Sequence, residues 1–266
     1  MAEPCRSNLN SCLTSTLNLA VKGKIYFASD FHLGLPSGSP PLEREKKVVR
    51  WLNAVAPDAR EIYLLGDIFD FWWEYKSVVP RGFTRFLGTI SSLTDSGIRV
   101  HFFTGNHDMW VSDYLFTECG LTIHTSPVTA EFDRKQFHLA HGEGLGSNDK
   151  KYSMLLSIFH NKTLRALYSS LHPSIGMGIG HKWSLNSRLA KGIRKDFFGE
   201  ENEDLIRYAR TVLSKETIDY FIFGHRHLGM KYKLSEGPEI IFLGDWIKNG
   251  SYAEWDGNNL DFRMLT

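Results

Sequence analysis

The sequence predicts an α/β protein in which strands and helices alternate before the chain becomes mostly strands. Short β-rich runs, such as Lys24–Ser29, alternate with segments of helical spacing, such as Leu42–Val55. Polar residues also follow directly on several of the apolar, strand-like runs. Because the carboxyl ends of the strands in such a sheet lie at one edge, we expect these polar residues to share one crevice.

The remaining elements follow from the apolar runs and the breaks between them. Helices are predicted at 82–96, 114–119 and 201–213, and strands at 61–65, 99–103, 121–124, 128–132, 136–140 and 220–223. The runs at 232–234, 240–243, 251–255 and 260–264 predict a closing antiparallel meander.

Composition excludes several classes of protein. The chain has 266 residues, 42% of them hydrophobic and 23% charged, as in an ordinary globular protein with one α/β domain and an insertion. Its net charge of +1 provides no overall attraction to nucleic acid.

The cysteines Cys5, Cys12 and Cys119 form no Cys-x-x-Cys pair, which is typical of a reducing compartment. No run approaches the roughly 18 apolar residues of a membrane span, and we expect residues 1–22 to be a disordered leader rather than a signal peptide.

Residues 149–196 differ from the rest and are predicted to be a helical insertion between core segments 23–148 and 197–266. Residues 150–195 contain nine Lys or Arg, no Asp or Glu, and several apolar runs. A Pro/Gly break at 172–180 is expected to divide the insertion into two helices.

Five short segments carry the polar residues that follow the strands. A single segment of this kind is weak evidence for a metal site, because such peptides commonly form turns or helix caps. All five in one chain, each directly after an apolar run, predict a site for two cations with Asp67 between them. Asp, His and Asn side chains suit Mn²⁺, Zn²⁺ or Fe, and Mn²⁺ is favoured here. The segments are Asp30-Phe31-His32, Gly66-Asp67-Ile68-Phe69-Asp70, Gly105-Asn106-His107-Asp108, His141-Gly142-Glu143 and Gly224-His225-Arg226-His227.

These motifs resemble those of the calcineurin-like metallophosphoesterase superfamily, over nearly the whole chain from Lys24 onward. The resemblance implies a four-layer αββα sandwich with a dinuclear centre. It implies one metal held by Asp30, His32, Asp67 and His227, and another held by Asp67, Asn106, His141 and His225.

The same resemblance implies catalytic roles for Asp67, Asn106 and His107. His107 is expected near the scissile phosphate, where it would stabilise charge or protonate the leaving oxygen. Asp70 and Asp108 are expected to orient the metal ligands.

Within the superfamily, the segment Gly66–Trp72, the Asp149-x-x-Tyr152 spacing and the insertion resemble the UDP-2,3-diacylglucosamine pyrophosphatases of lipid A biosynthesis. In that branch the insertion is a lid over the acyl chains. The resemblance implies hydrolysis of the UDP-linked acylated glucosamine to UMP and the sugar 1-phosphate, by a cytoplasmic enzyme attached peripherally to the anionic inner membrane surface. The cationic, apolar insertion independently suits a diphosphate with acyl tails, although a basic solvated face is the simpler interpretation.

The sequence departs from that branch at His107, where the best-known members have Arg, and at Glu143, where they have Asp. The resemblance implies substrate contacts at Asn106 and His107 by motif, and at Asp149, Ser187, Lys191 and Arg194 by their spacing. Lys191 stands where the branch has Asn.

Two other functions remain open at this point. One is a soluble phosphodiesterase or nucleotide pyrophosphatase of the same superfamily, and the other is a metal-bearing scaffold without catalysis. A nucleic-acid-binding module is disfavoured because the basic residues of the insertion alternate with aliphatic rather than aromatic residues.

Overall fold

Two stacked sheets with helices on both outer faces form the protein, as seen in a computed structural model that describes residues 23–147, 150–191, 196–235, 237–248 and 250–265. Within these ranges, the side chains of 150–153, 160 and 187–191 are not described. The four layers confirm the predicted αββα sandwich. The predicted leader, 1–22, lies outside the described residues.

The first sheet has six strands and is parallel at its centre. Its strands are β1 (Lys24–Ala28), β2 (Ala59–Leu65), β3 (Arg99–Phe103), β4 (Thr122–His124), β10 (Ser251–Trp255) and β11 (Leu260–Met264). Their spatial order is β11-β10-β1-β2-β3-β4. The strands β1 to β4 are parallel, whereas β10 and β11 run antiparallel to their neighbours.

The second sheet has five strands, and its centre is also parallel. They are β5 (Val128–Phe132), β6 (Lys135–Ala140), β7 (Tyr220–Phe223), β8 (Met230–Lys233) and β9 (Glu239–Phe242), in the order β5-β6-β7-β9-β8. The predicted closing meander is therefore wrong, because β8 and β9 join this sheet while β10 and β11 join the first. The fully buried run Ile240–Phe242 explains the difference, since it occupies an interior position parallel to β7.

Apolar side chains fill the three spaces between the layers. The helices α1 (Pro41–Val55), α2 (Thr84–Asp95) and α3 (Tyr114–Cys119) cover the outer face of the first sheet, and α7 (Asp204–Leu213) covers the second. Between the sheets, the rings of Phe27 and Phe137 stack with centroids 6.0 Å apart. This central layer holds the two sheets in a fixed relation.

The insertion forms three helices rather than the predicted two. They are α4 (Lys150–His160), α5 (Lys162–Ser169) and α6 (Pro173–Lys191). One break lies at Asn161, whose side chain accepts hydrogen bonds from the N–H groups of Thr163 and Leu164 and so caps α5.

The predicted break at 172–180 is wrong, because α6 begins at Pro173 and continues through three glycines. Proline is tolerated in the first helical turn, where its missing N–H has no helical partner. A Cβ atom at Gly180 would overlap the ring of Phe71, and one at Gly176 would overlap the hydroxyl of Tyr75. These glycines therefore allow close packing of the insertion on the core.

Buried Arg44 secures the loop that follows β1. Its guanidinium donates hydrogen bonds to the carbonyl oxygens of His32 at 2.8 Å and Leu35 at 3.1 Å, and to those of Ser37 and Ser39. One side chain of α1 thus holds the backbone that carries His32.

Arg44→Met should lower the free energy of unfolding by about 3 kcal/mol, because buried carbonyl groups would lose their donors. Urea or thermal unfolding measures this change. Arg50→Met is the control, since Arg50 is exposed on the same helix, and its effect should stay within about 0.5 kcal/mol. A loss from Arg44→Met no larger than that of the control would contradict the assigned role.

Candidate metal centre

Side chains from all five segments meet where β1, β2, β3, β6 and β7 end. Oδ1 of Asp30 lies 3.3 Å from Nε2 of His227 and 3.7 Å from Nε2 of His32. Oδ2 of Asp67 lies 3.5 Å from Nε2 of His141 and 3.9 Å from Nε2 of His32. Parallel pairing explains the convergence, because it brings the carboxyl ends of neighbouring strands to one edge.

Three overlapping groups of side chains have the spacing needed to hold a metal ion, and Asp67 belongs to two of them. The groups are Asp30, His32 and His227; His32, Asp67 and His107; and Asp67, His141 and His225. In each group, ligand atoms lie within 4.8 Å of one another. Asp67 therefore lies between two clusters of ligands.

The two carboxylates each use one oxygen for hydrogen bonds and direct the other toward histidines. Oδ2 of Asp30 accepts from the Ser29 hydroxyl at 2.5 Å and from the His225 N–H at 3.0 Å. Oδ1 of Asp30 makes no hydrogen bond with any described residue. Oδ1 of Asp67 accepts from the His107 N–H at 2.9 Å, and Oδ2 faces the imidazoles. Buried anionic oxygens in this arrangement fit a bound cation.

Two of the histidines likewise use one ring nitrogen for an outer partner and direct the other nitrogen toward the site. Nδ1 of His141 lies 2.7 Å from the Leu65 carbonyl oxygen. Because a carbonyl can only accept, Nδ1 carries a proton, and Nε2 is the nitrogen that faces Asp67. Nδ1 of His227 similarly faces Oδ2 of Asp245 at 3.3 Å. Imidazoles held by such outer partners are typical of metal sites.

Asn106 and His225 complete the set of proposed ligands. Oδ1 of Asn106 is buried and makes no hydrogen bond with any described residue. The ring centroid of His225 lies 5.3 Å from that of His141. The residues present, two carboxylates, one amide and four imidazoles besides His107, thus fit two divalent cations in both chemistry and orientation.

Five of the proposed ligands adopt the left-handed backbone region, which non-glycine residues rarely occupy. Their φ angles are 56° at Asp30, 46° at His32, 54° at Asp67, 62° at His225 and 53° at His227. Such conformations cost about 1–3 kcal/mol each and persist where the surrounding structure imposes them. The fold therefore holds its ligands at a cost in stability.

Two glycines allow the ligand loops to approach one another. A Cβ atom on Gly105 would lie 2.5 Å from the backbone nitrogen of Asp67. One on Gly66, whose φ is 82°, would lie 2.5 Å from Nδ1 of His141. A side chain at either position would displace a proposed ligand.

Charge at the site is concentrated on Asp67. Burial opposes ionisation of Asp67, but His141, His107 and His32 surround it and hold its pKa well below the usual range. Reciprocally, Asp67 raises the pKa of His141 well above the usual range despite burial. Burial raises the pKa of Asp30. The three imidazoles therefore compensate one central carboxylate, the role that cations would take when bound.

Asp108 supports the loop of Asp67. Its carboxylate accepts hydrogen bonds from the N–H groups of Ile68 at 2.7 Å and Gly105 at 2.7 Å, and so joins the loops after β2 and β3. Burial and the nearby Asp67 charge raise the pKa of Asp108 to about 7.

His107 is buried beside this centre. Its Nε2 lies 4.0 Å from Oδ2 of Asp67, and its Nδ1 lies 3.0 Å from the carbonyl oxygen of Asp70. One nitrogen thus faces the ligands and the other is held by the loop after β2.

Sequence reasoning missed Asp245, which faces His227. A signal was present, because the apolar run ending at Leu243 is followed by Gly244-Asp245, the same pattern that ends at Gly66-Asp67.

The predicted substrate contacts in the insertion are only partly covered by the structure. Asp149 and Arg194 lie outside the described residues. Ser187 and Lys191 lie on α6, but their side chains are not described. These four assignments stay predictions.

An apolar cavity of about 330 Å³ lies between the core and the insertion. It adjoins the metal centre, because Trp183, which lines it, has its ring centroid 5.8 Å from that of His107. The lining comprises Phe71, Trp73 and Trp110 from the core and Ile158, Phe159, Leu164, Arg165, Tyr168, Ile179, Gly180 and Trp183 from the insertion.

Comparison with known proteins adds independent information. The calcineurin-like phosphoesterase family model matches residues 23–229. A UDP-2,3-diacylglucosamine hydrolase from Porphyromonas gingivalis is 42% identical over 253 residues, covering 90% of this chain and 97% of that protein. A UDP-2,3-diacylglucosamine hydrolase from Histophilus somni is 26% identical, covering 90% of this chain and 99% of that protein. Among solved structures, a phosphoesterase from E. coli aligns with a TM-score of 0.43 and 15% identity, over 91% of this chain and 97% of that one.

Gly105→Ala should reduce the metal content of the purified protein and lower phosphoesterase activity about 100-fold, because the new methyl group would displace Asp67. Metal analysis by inductively coupled plasma mass spectrometry measures the content. Gly88→Ala is the matched control, since a Cβ there meets nothing within 4 Å. Unchanged metal content in Gly105→Ala would show that the loops after β2 and β3 accommodate the methyl group without displacing Asp67.

Proposed function

The chain belongs to the calcineurin-like phosphoesterase family, and from this premise we propose that it cleaves the diphosphate of UDP-2,3-diacylglucosamine. The products would be UMP and 2,3-diacylglucosamine 1-phosphate, as required in lipid A biosynthesis. The observation that carries the proposal is that the candidate metal centre and the apolar cavity lie next to each other. The metal centre suits a diphosphate, and the cavity suits acyl chains. The 42% identical relative named for this activity supports it.

The family implies two divalent metal ions. We assign one to Asp30, His32, Asp67 and His227, and the other to Asp67, Asn106, His141 and His225. When bound, the two cations neutralise the diphosphate charge and increase the acidity of the attacking water. Mn²⁺ is our preferred cation, with Zn²⁺ and Fe as alternatives for this donor set.

His107 is assigned to the phosphate that reacts. The Asp70 carbonyl holds Nδ1, so the ring turns Nε2 toward the centre. A proton on Nε2 can then be donated to a phosphate oxygen or to the leaving oxygen. Asn106 precedes it in the same loop and is assigned to substrate as well as metal.

The insertion, residues 149–196, is assigned as the lid, and 23–148 with 197–266 as the core. The large aromatic side chains of the cavity provide apolar surface for acyl chains. Lys162, Arg165 and Lys182 add positive charge to α5 and α6, and residues 150–195 contain no Asp or Glu. Asp149, Ser187, Lys191 and Arg194 remain candidates for contacts with the sugar and phosphate.

The outer face of the insertion is the proposed site of membrane attachment. Met154 and Leu167 are each 66% exposed, and Ile175 is 57% exposed. None of the described helices has the length and apolar character to cross a membrane. Apolar side chains beside lysine and arginine favour peripheral binding at an anionic surface, here the inner face of the cytoplasmic membrane.

Protein loaded with Mn²⁺ should release UMP from UDP-2,3-diacylglucosamine, and Asp67→Ala should abolish release because the shared ligand is lost. Chromatography of UMP measures the reaction. Asp95→Ala, at an exposed carboxylate on α2, is the control and should retain activity. Hydrolysis of bis(p-nitrophenyl) phosphate without release of UMP would favour the soluble phosphodiesterase, and no turnover of either would favour the scaffold. Full activity of folded Asp67→Ala would refute the metal assignment.

Replacing both Phe159 and Leu164 by Ala should lower kcat/KM for the lipid substrate at least about tenfold, because acyl chains would lose apolar contact. Turnover of bis(p-nitrophenyl) phosphate should change less than about twofold. Leu185→Ala is the control, since Leu185 is exposed and does not line the cavity. Equal losses on both substrates would contradict an acyl-binding role.

A further inference from the structure

We propose that Ser184, on α6 of the insertion, is a positioning residue for His107. Its hydroxyl would couple the seating of the lid helix to the orientation of the imidazole that acts on the phosphate. This inference rests on the function proposed above for the metal centre and for His107.

Ser184 is the point at which α6 enters the site. It is fully buried, whereas the next residue, Leu185, is 39% exposed. One turn earlier, Gly180 packs against the Phe71 ring, and this close approach brings the helix down onto the loop after β2. A polar group buried at this depth requires hydrogen-bond partners.

Among the described residues, Ser184 contacts Asp70 and His107, which both lie beside the metal centre. Its Oγ donates to Oδ1 of Asp70 at 3.0 Å and lies 3.2 Å from Nδ1 of His107. Nδ1 of His107 also lies 3.0 Å from the Asp70 carbonyl oxygen. Because the single hydroxyl proton is directed to the carboxylate, the lone pairs of Oγ are available to the Nδ1–H group.

Nδ1 of His107 is therefore held by acceptors from two separate parts of the chain. The Asp70 carbonyl belongs to the core, and the Ser184 hydroxyl belongs to the insertion. Two acceptors restrict the imidazole more than one does, and they keep Nε2 directed at the centre. Displacing α6 would remove the Ser184 acceptor and leave the acceptor from the core.

Other contacts show that α6 meets this loop along one face. Nδ1 of His181 lies 3.8 Å from Oδ2 of Asp70, and the Trp183 ring lies beside the His107 ring. A purely structural role for Ser184, fastening α6 to Asp70, is the competing explanation. The two explanations differ in whether removal of the hydroxyl acts through His107.

A double-mutant cycle separates them. Ser184→Ala should lower kcat about tenfold with KM changed less than twofold, on both bis(p-nitrophenyl) phosphate and the UDP-sugar, because the lost contact orients a group used in the transition state. In a His107→Ala background, Ser184→Ala should cause no further loss. Ser174→Ala, at an exposed serine of the same helix, is the control and should change neither constant.

A second measurement does not depend on turnover. In protein loaded with diamagnetic Zn²⁺, the Nδ1 proton of His107 is assigned by proton NMR from its absence in His107→Ala. Its exchange with solvent should be about tenfold faster in Ser184→Ala than in wild type or Ser174→Ala.

The proposal would be overturned if Ser184→Ala lowered kcat as much in the His107→Ala background as in wild type, or if the exchange rate of the His107 Nδ1 proton were unchanged. Ser184 would then be a structural contact. A change confined to KM for the lipid substrate would also overturn the proposal. If the protein hydrolysed bis(p-nitrophenyl) phosphate but not the UDP-sugar, the proposed lipid substrate would be refuted. The double-mutant cycle could still be measured with bis(p-nitrophenyl) phosphate. If neither substrate reacted, the proposed function would fail, and the proton exchange rate would still decide the role of Ser184.

Discussion

The buried carboxylate of Asp67 is the constraint on which the rest of the site depends. Three imidazoles face it, and the side chain is buried, so bulk solvent screens its charge little. Keeping it there requires a left-handed residue after β2, a glycine opposite its backbone nitrogen, and the support of Asp108. These features are unfavourable or neutral for folding in isolation. A bound pair of cations would explain them together, because the free energy of metal binding offsets the cost of the backbone strain and of the buried charge.

The double-sheet architecture is what allows such a site to exist. Asp30, Asp67 and Asn106 come from the first sheet, whereas His141, His225 and His227 come from the second. Neither sheet alone carries the complete set of proposed ligands. The aromatic layer between the sheets therefore does more than stabilise the fold, because it sets the distance between the two halves of the site.

Much of this was predictable from sequence, because the strand-and-motif pattern is local. A run such as Ile62–Leu65 followed by Gly66-Asp67 contains both the strand and its end. The pairing of the last four strands was not predictable in this way, since it depends on partners far along the chain. Helix α6 was misjudged because its glycines matter through Phe71 and Tyr75, which lie a hundred residues away. Ser184 acts through Asp70 and His107, which lie far from it along the chain, and no short motif marks it. Asp245 could have been found, because it follows an apolar run and a glycine as Asp67 does.

The left-handed ligands have a consequence for how this chain can change over generations. Each of the five positions would be more relaxed with glycine, which accepts that backbone conformation without steric penalty. Heat tolerance and chemistry are therefore opposed at the same positions. Selection for stability alone would therefore favour glycine at these five positions. The resulting protein would be more stable but would lack the carboxylates and imidazoles needed to bind metal.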